Sequence, residues 1–112
     1  MIKGVGIDII EIKRFDNLIK RYGDKFLKRI FTKNEIEYAK KRKNAESFAG
    51  MFAAKEAYIK ACGTKKLEFN EIEIIHDKNN KPLYKLNFRT DYSLNLSISH
   101  NKTSAIAICI ID

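Results

Sequence analysis

The stretch Ser47-Phe-Ala-Gly-Met-Phe-Ala-Ala-Lys-Glu-Ala-Tyr-Ile-Lys-Ala-Cys-Gly-Thr64 constrains the fold more than any other part of the chain. It predicts one helix from about Ala45 to Cys62, capped at its start by Ser47 and stopped by Gly63. On a 3.6-residue wheel, Phe48, Met51, Phe52, Tyr58, Ile59 and Cys62 share a face. Ala49, Gly50, Ala53, Ala54, Ala57 and Ala61 cover much of the rest, so a second element can approach closely. Such a helix belongs at the centre of a domain. Lys55 nevertheless falls inside the apolar arc, and Glu56 lies at its border with Lys60 one turn on. Buried charges need partners. One reading pairs Glu56 with Lys60 at i,i+4 and lets Lys55 snorkel to solvent; the other makes this cluster a working site.

The segments on either side fall into order around this helix. Residues 1–10 alternate as a strand, with Val5, Ile7 and Ile9 on one side and Gly4, Gly6, Asp8 and Ile10 on the other. Asp8 is out of place among isoleucines. It either ends the strand and caps a helix beginning near Glu11, or is a cation ligand, with Gly4 and Gly6 leaving room for something to approach the backbone. From Ile12, the positions Phe15, Leu18, Ile19 and Tyr22 are helical in spacing, and Gly23 ends that run. Asp24 opens a short turn carrying Phe26, Leu27, Ile30 and Phe31. Thr32-Lys-Asn-Glu35 is a capping box that starts another helix, which runs into Lys40-Lys-Arg-Lys43. That basic run is either helix C-terminal charge or a phosphate-binding patch.

After the long helix the period changes to two. Strands are expected at 71–76, at 83–88 after an Asp77-Lys-Asn-Asn-Lys-Pro82 turn, at 94–100, and at 105–111, the last apolar on both faces. His100 stands at a strand end beside a polar turn, either as a turn residue or as a contact for phosphate or protons. The expected architecture is α+β: an N-terminal strand, helices including one long central helix, and a small antiparallel sheet packed on it. The 112 residues make a single domain, 1–112.

Charge narrows the function. The net charge is +8, and residues 11–43 carry twelve lysines or arginines against five acids. A basic segment so concentrated faces an acidic partner: nucleic acid, acidic protein or phosphorylated ligand. No apolar run is long enough to span a membrane, and no secretory signal opens the chain. Cys62 and Cys109 both sit in apolar patterns and read as reduced core residues of a cytoplasmic protein. A small nucleic-acid-binding domain would explain the charge, with Phe15, Tyr22, Phe26 and Phe31 as stacking residues. Their core spacing argues against it, and Asp8 and Glu56 would repel phosphates without a metal.

Five segments in order resemble the bacterial holo-acyl-carrier-protein synthases of the 4′-phosphopantetheinyl transferase superfamily: Gly4-Val-Gly-Ile-Asp8-Ile-Ile-Glu11, Arg29-Ile-Phe-Thr32-Lys-Asn-Glu35, Phe48-Ala-Gly-Met-Phe-Ala-Ala-Lys55-Glu56-Ala, Gly63-Thr64 and Ser97-Ile-Ser-His100. The resemblance spans essentially the whole chain. It implies transfer of 4′-phosphopantetheine from coenzyme A to a serine of apo-acyl carrier protein, releasing adenosine 3′,5′-bisphosphate, in support of fatty acid biosynthesis. A non-catalytic subunit binding coenzyme A or an acidic protein is the second alternative.

By position, the resemblance makes Asp8 and Glu56 ligands of Mg²⁺ (or Mn²⁺) and Glu56 the general base, directly or through a water. Lys60 would neutralise the leaving diphosphate. Lys55 would reach a phosphate or tie down a carboxylate, Gly63 and Thr64 would contact coenzyme A, and His100 would lie near its 3′-phosphate. Arg14, Lys20, Arg21, Lys25 and Lys28 would meet the acidic carrier protein. The family implies a homotrimer with active sites between subunits, with neither nucleic acid nor membrane as partner. Two positions depart from the family pattern: Lys65 stands where a glycine is usual after Gly63-Thr64, and Asn80 replaces the glycine of the Asp-x-x-Gly-Lys-Pro turn.

Overall fold

The computed structural model describes residues 1–64 and 66–112. A strand, β1 (Gly4–Glu11), leads into α1 (Ile12–Ile30), α2 (Lys33–Lys40) and the long helix α3 (Asn44–Cys62). A 3₁₀ turn (Phe69–Glu71) then precedes β2 (Ile72–His76), β3 (Pro82–Leu86), β4 (Leu94–His100) and β5 (Ser104–Ile111). This is the expected α+β plan, with one refinement. The strands form two antiparallel sheets, β1-β5-β4 and β2-β3. Lys65 lies outside the described residues.

β5 takes the central place in the larger sheet because it is apolar on both faces. Ala105, Ala107, Cys109 and Ile111 are buried against α3, while Ile106, Ile108 and Ile110 point to the opposite face. Their register partners on β1 are Ile9, Ile7 and Val5. The sheet meets α3 most intimately at β1. A methyl group added to Gly4 or Gly6 would overlap the carbonyl oxygen of Ala61 or Ala57. The room left by the two glycines is therefore filled by the small-residue face of α3.

Several local expectations hold and others shift. Thr32 and Glu35 form the capping box reciprocally, Glu35 N–H donating to Thr32 Oγ1 (3.2 Å) and Thr32 N–H to Glu35 Oε1 (2.8 Å). Gly63 ends α3 at φ 73°, and Asn80 takes φ 63°, the left-handed conformation its glycine-like position demands. Ser47 is not the cap of α3: the helix begins at Asn44 after Lys43, and Ser47 lies within its first turn, donating its N–H to the Lys43 carbonyl. Asp8 neither ends β1 nor caps α1, because the strand continues to Glu11. Beyond Gly23 (φ 66°) the chain resumes as helix instead of a short turn, burying Leu27 and Ile30. Cys109 is buried as expected, but Cys62, in the last turn of α3, is exposed; both are free thiols.

Phe15, Phe31, Phe48 and Phe52 pack as one aromatic cluster where α1 and α3 meet, with centroids 5.0 Å apart for Phe15–Phe52 and 4.8 Å for Phe31–Phe48. Phe15 and Phe31 are buried there and Phe26 packs against them, so these rings are not available to stack on bases; Tyr22 alone of the four aromatic candidates is well exposed, at 54%.

Candidate active site

Asp8 sits in mid-strand on the side of β1 that faces α3, where its side chain is only 13% exposed. Strand alternation puts it in line with Gly4 and Gly6, and the helix lies against that line. Lys60 Nζ reaches over from α3 and donates to Asp8 Oδ1 and to the Ile7 carbonyl, both at 3.1 Å. Asp8 Oδ2 is buried and accepts no hydrogen bond from the described residues. A buried carboxylate oxygen left without a donor is costly, and it marks a place where a cation is wanted. Glu56 precedes Lys60 by one helical turn, so it shares the face that Lys60 turns towards Asp8, and it is partly buried.

These residues fit a divalent cation. Mg²⁺ takes one or two protein carboxylates and completes its octahedron with phosphate oxygens and water. Among the described residues there is no group of three His, Cys, Asp or Glu that would make an all-protein cage. The donor set is that of a substrate-completed site.

Lys55 does not snorkel, and it does not reach a cofactor phosphate. Its side chain is fully buried, and its three ammonium donors are all used: Glu35 Oε1 at 2.7 Å, the Ile72 carbonyl at 2.8 Å and the Phe69 carbonyl at 2.9 Å. Of the two roles that the family implied, it ties down a carboxylate, that of Glu35. Burial pushes Glu35 up and Lys55 down, and each opposes the other's shift by its charge. The partner came from α2, twenty residues back, where sequence showed only a helix cap.

His100 lies elsewhere. It ends β4, half exposed, with Nδ1 3.7 Å from Glu46 Oε2. It lines a cleft of about 500 Å³ together with Arg42, Lys43, Tyr38, His76 and Asn80. Asp8, Glu56 and Lys60 do not line this cleft. Three of its residues form a ladder that sequence reading missed. The Arg42 guanidinium lies 3.9 Å from the Tyr38 ring centroid, and Tyr38 stacks on His76 at 3.8 Å and 5°. The Tyr38 hydroxyl also donates to Asn80 Oδ1 at 2.8 Å, holding the left-handed turn. Burial, with the Arg42 charge second and Asp77 opposing, holds the His76 imidazole below the ordinary histidine range. Arg42 and Lys43 belong to the basic run singled out as a phosphate patch, whereas nothing local ties His76 to Tyr38.

At the C-terminal end of α3, Gly63 donates its N–H to the Ile59 carbonyl, and Thr64 Oγ1 accepts from Lys66 N–H at 3.2 Å. Arg14, Lys20, Arg21, Lys25 and Lys28 are all exposed along α1, with Lys20 paired to Asp16 at 2.9 Å. Arg14 rims an apolar groove of about 570 Å³ whose walls include Leu18, Phe26, Phe52 and Ile9. Basic charge and apolar surface thus lie side by side.

Residues 4–110 match the family model described as the 4′-phosphopantetheinyl transferase superfamily. The chain is 48% identical to the holo-[acyl-carrier-protein] synthase of Clostridium tetani, over all of this chain and 97% of that one. It superposes on the Bacillus anthracis holo-(acyl-carrier-protein) synthase, solved with CoA (3′,5′-ADP), at TM-score 0.88 and 43% identity, covering 99% and 96% of the two chains. The Helicobacter pylori synthase solved with coenzyme A matches at TM-score 0.88 and 37% identity, over 96% of this chain and 99% of that one. With residues 4–110 matched by the family model and a relative 48% identical across this chain, the chain belongs to the 4′-phosphopantetheinyl transferase superfamily, among its holo-[acyl-carrier-protein] synthases.

Proposed function

We propose that this chain transfers 4′-phosphopantetheine from coenzyme A to a serine of apo-acyl carrier protein, with a divalent cation held by Asp8 and Glu56. The observation that carries the site assignment is the buried, donorless Oδ2 of Asp8 on the strand face that meets α3. Mg²⁺ bound there would neutralise the coenzyme A pyrophosphate and stabilise charge developing on it. Lys60, already beside Asp8, brings a second positive charge to the leaving diphosphate. Glu56 takes the serine hydroxyl proton, directly or through a water, as the serine oxygen attacks the β-phosphorus. The bond from that phosphorus to the bridging oxygen breaks, and adenosine 3′,5′-bisphosphate leaves.

Coenzyme A needs anion contacts beyond the metal. His100, Arg42 and Lys43 gather positive groups in one cleft, suited to its 3′-phosphate, and Gly63 and Thr64 lie at the end of the helix that carries Glu56. Because the cleft does not include the carboxylates within one chain, the complete site is read as forming between copies. The outer face of the β1-β5-β4 sheet supports this. Val5, Ile7 and Ile9 are 55%, 54% and 64% exposed and sit beside Ile110, Ile108 and Ile106 in register. An apolar strip of this size on an edge strand calls for cover, and a homotrimer of the family type would supply it. The exposed cations of α1 would meet the acidic carrier protein, setting encounter rate and salt sensitivity. No helix among the described residues is long and apolar enough to cross a membrane; a cytoplasmic place in fatty acid synthesis belongs to this proposal.

The test is intact-mass spectrometry of apo-acyl carrier protein incubated with this protein and coenzyme A, with Mg²⁺ or with EDTA. A gain of one phosphopantetheinyl group with Mg²⁺, lost with EDTA, is the expected result. No gain with several carrier proteins overturns the proposal.

A further inference from the structure

Among the described residues, Glu35 and Lys55 are the only charged side chains that are fully buried, at 1% and 0% exposure. The pair is saturated. Lys55 spends its three donors on Glu35, the Phe69 carbonyl and the Ile72 carbonyl. Glu35 accepts from Lys55 and Thr32 N–H on Oε1, and from Ile74 N–H at 2.8 Å on Oε2. Three bonds from Lys55 thereby fasten α3 to the start of α2, the 3₁₀ turn and β2 at a single point, and two backbone N–H groups hold Glu35 in place. Burying such a pair rarely stabilises a protein more than apolar residues of the same volume would, because desolvation offsets the attraction. What it supplies is directional geometry, which apolar packing does not.

The position of that point matters. Lys55 is followed by Glu56, and one residue along a helix is a rotation of about 100°. On the β1 side, Ala57 and Ala61 are pressed against Gly6 and Gly4, contacts that fix how near α3 lies to β1, and the hydrogen bonds across that seam come from the long, half-exposed side chain of Lys60, which can follow a turn of the helix. The Lys55 bonds hold the other side. A side-chain tip sits roughly 5–6 Å from the helix axis, so a 20° turn of α3 would carry the Glu56 carboxylate about 2 Å. Productive sites tolerate displacements of only about 0.5 Å.

We propose that the buried Glu35–Lys55 pair is a positioning device for the transfer site, locking the rotation of α3 about its axis so that Glu56 faces Asp8 and Lys60. Neither residue touches substrate or metal. The inference rests on Glu56 being a metal-holding residue, and its test separates failure of that assignment from failure of the positioning role.

Two variants are compared with the full-length wild-type protein. Glu35→Gln with Lys55→Met removes both charges at similar volume, and the glutamine oxygen still accepts from one of the two backbone N–H groups that Glu35 serves. Lys55→Arg keeps the charge, but its planar fork does not match the two carbonyls and the carboxylate that a lysine ammonium serves. Each is examined by circular dichroism and thermal melting, by transfer kinetics, and by electron paramagnetic resonance titration of Mn²⁺ in the presence of coenzyme A. The expected result is native secondary structure, a fall in kcat of at least thirtyfold, carrier-protein KM within about twofold, and Mn²⁺ affinity weakened about tenfold. Wild-type kcat or wild-type Mn²⁺ affinity in either folded variant overturns the proposal. So does failure of both variants to fold, which would assign the pair to stability alone. A wild-type protein that neither transfers nor binds Mn²⁺ with coenzyme A refutes the functional assignment itself, independently of the variants.

Discussion

Gly6→Ala tests the packing on which the site depends. The added methyl would fall on the carbonyl oxygen of Ala57, with the Ala61 N also inside contact range. Both obstacles are helix backbone, so neither can swing aside. A carbon and an oxygen settle at roughly 3.5 Å, which requires β1 to withdraw from α3 by more than about 1 Å. Overpacking of this kind costs about 1–3 kcal/mol, or a fall in Tm of roughly 5–15 °C for a domain of this size. The catalytic effect should be larger than the thermal one. Asp8 lies two residues further along the same face of β1, and a misplacement of 1 Å in a reacting constellation is worth about a hundredfold in rate. The assay pairs differential scanning calorimetry with initial rates of apo-carrier-protein modification. The expected outcome is a folded protein with lowered Tm and transfer reduced by about a hundredfold. Native Tm together with native turnover would refute the claim that the β1 glycines set the distance between the two carboxylates.

Three further outcomes follow from the same geometry. Asp8→Ala and Glu56→Ala should each lower metal-dependent transfer more than about a hundredfold, and Asp8→Ala should not lower Tm, because it removes a buried oxygen that has no donor; ordinary turnover at ordinary Mg²⁺ in either variant, or a large loss of Tm for Asp8→Ala, would contradict this. Arg14→Glu with Arg21→Glu should raise carrier-protein KM at least tenfold and leave coenzyme A KM unchanged, as read by steady-state kinetics at two salt concentrations. His76 carries a pH dependence: burial holds its folded-state pKa below that of an ordinary histidine, about 6.5, so the unfolded chain binds more protons in that interval and stability should fall as pH drops below about 6.5. Thermal melts from pH 7.5 to 5 should show this loss, and His76→Phe, which keeps a ring against Tyr38, should flatten it.

What could be read without coordinates was what short-range physics determines. The Thr32–Glu35 capping box, the Gly63 stop, the left-handed Asn80 and the period-two strands all depend on residues a few positions apart, and each stands in the structure. The helix start was less legible. Ser47 is a better cap than Lys43 by side chain, yet packing of Ala45 and Phe48 carries the helix back to Asn44. Asp8 was legible as an anomaly but not as an answer, since a carboxylate among isoleucines leaves both a cap and a ligand open until the neighbouring helix is in place.

Local pattern was enough for the class of elements, the central helix with its small face, the basic first helix and, through the resemblance, the family. Which groups meet was settled by long-range packing. Lys55, open in the sequence between solvent, a phosphate and a carboxylate, becomes the buried partner of Glu35; Arg42, Tyr38 and His76 stack into one ladder; the strands divide between two sheets; and Val5, Ile7 and Ile9 face outward. The physical reason is one of range. Caps, turns and periodicity are governed by energies within a turn or two of chain, whereas the fate of a charge depends on desolvation and on donors brought from far along the sequence.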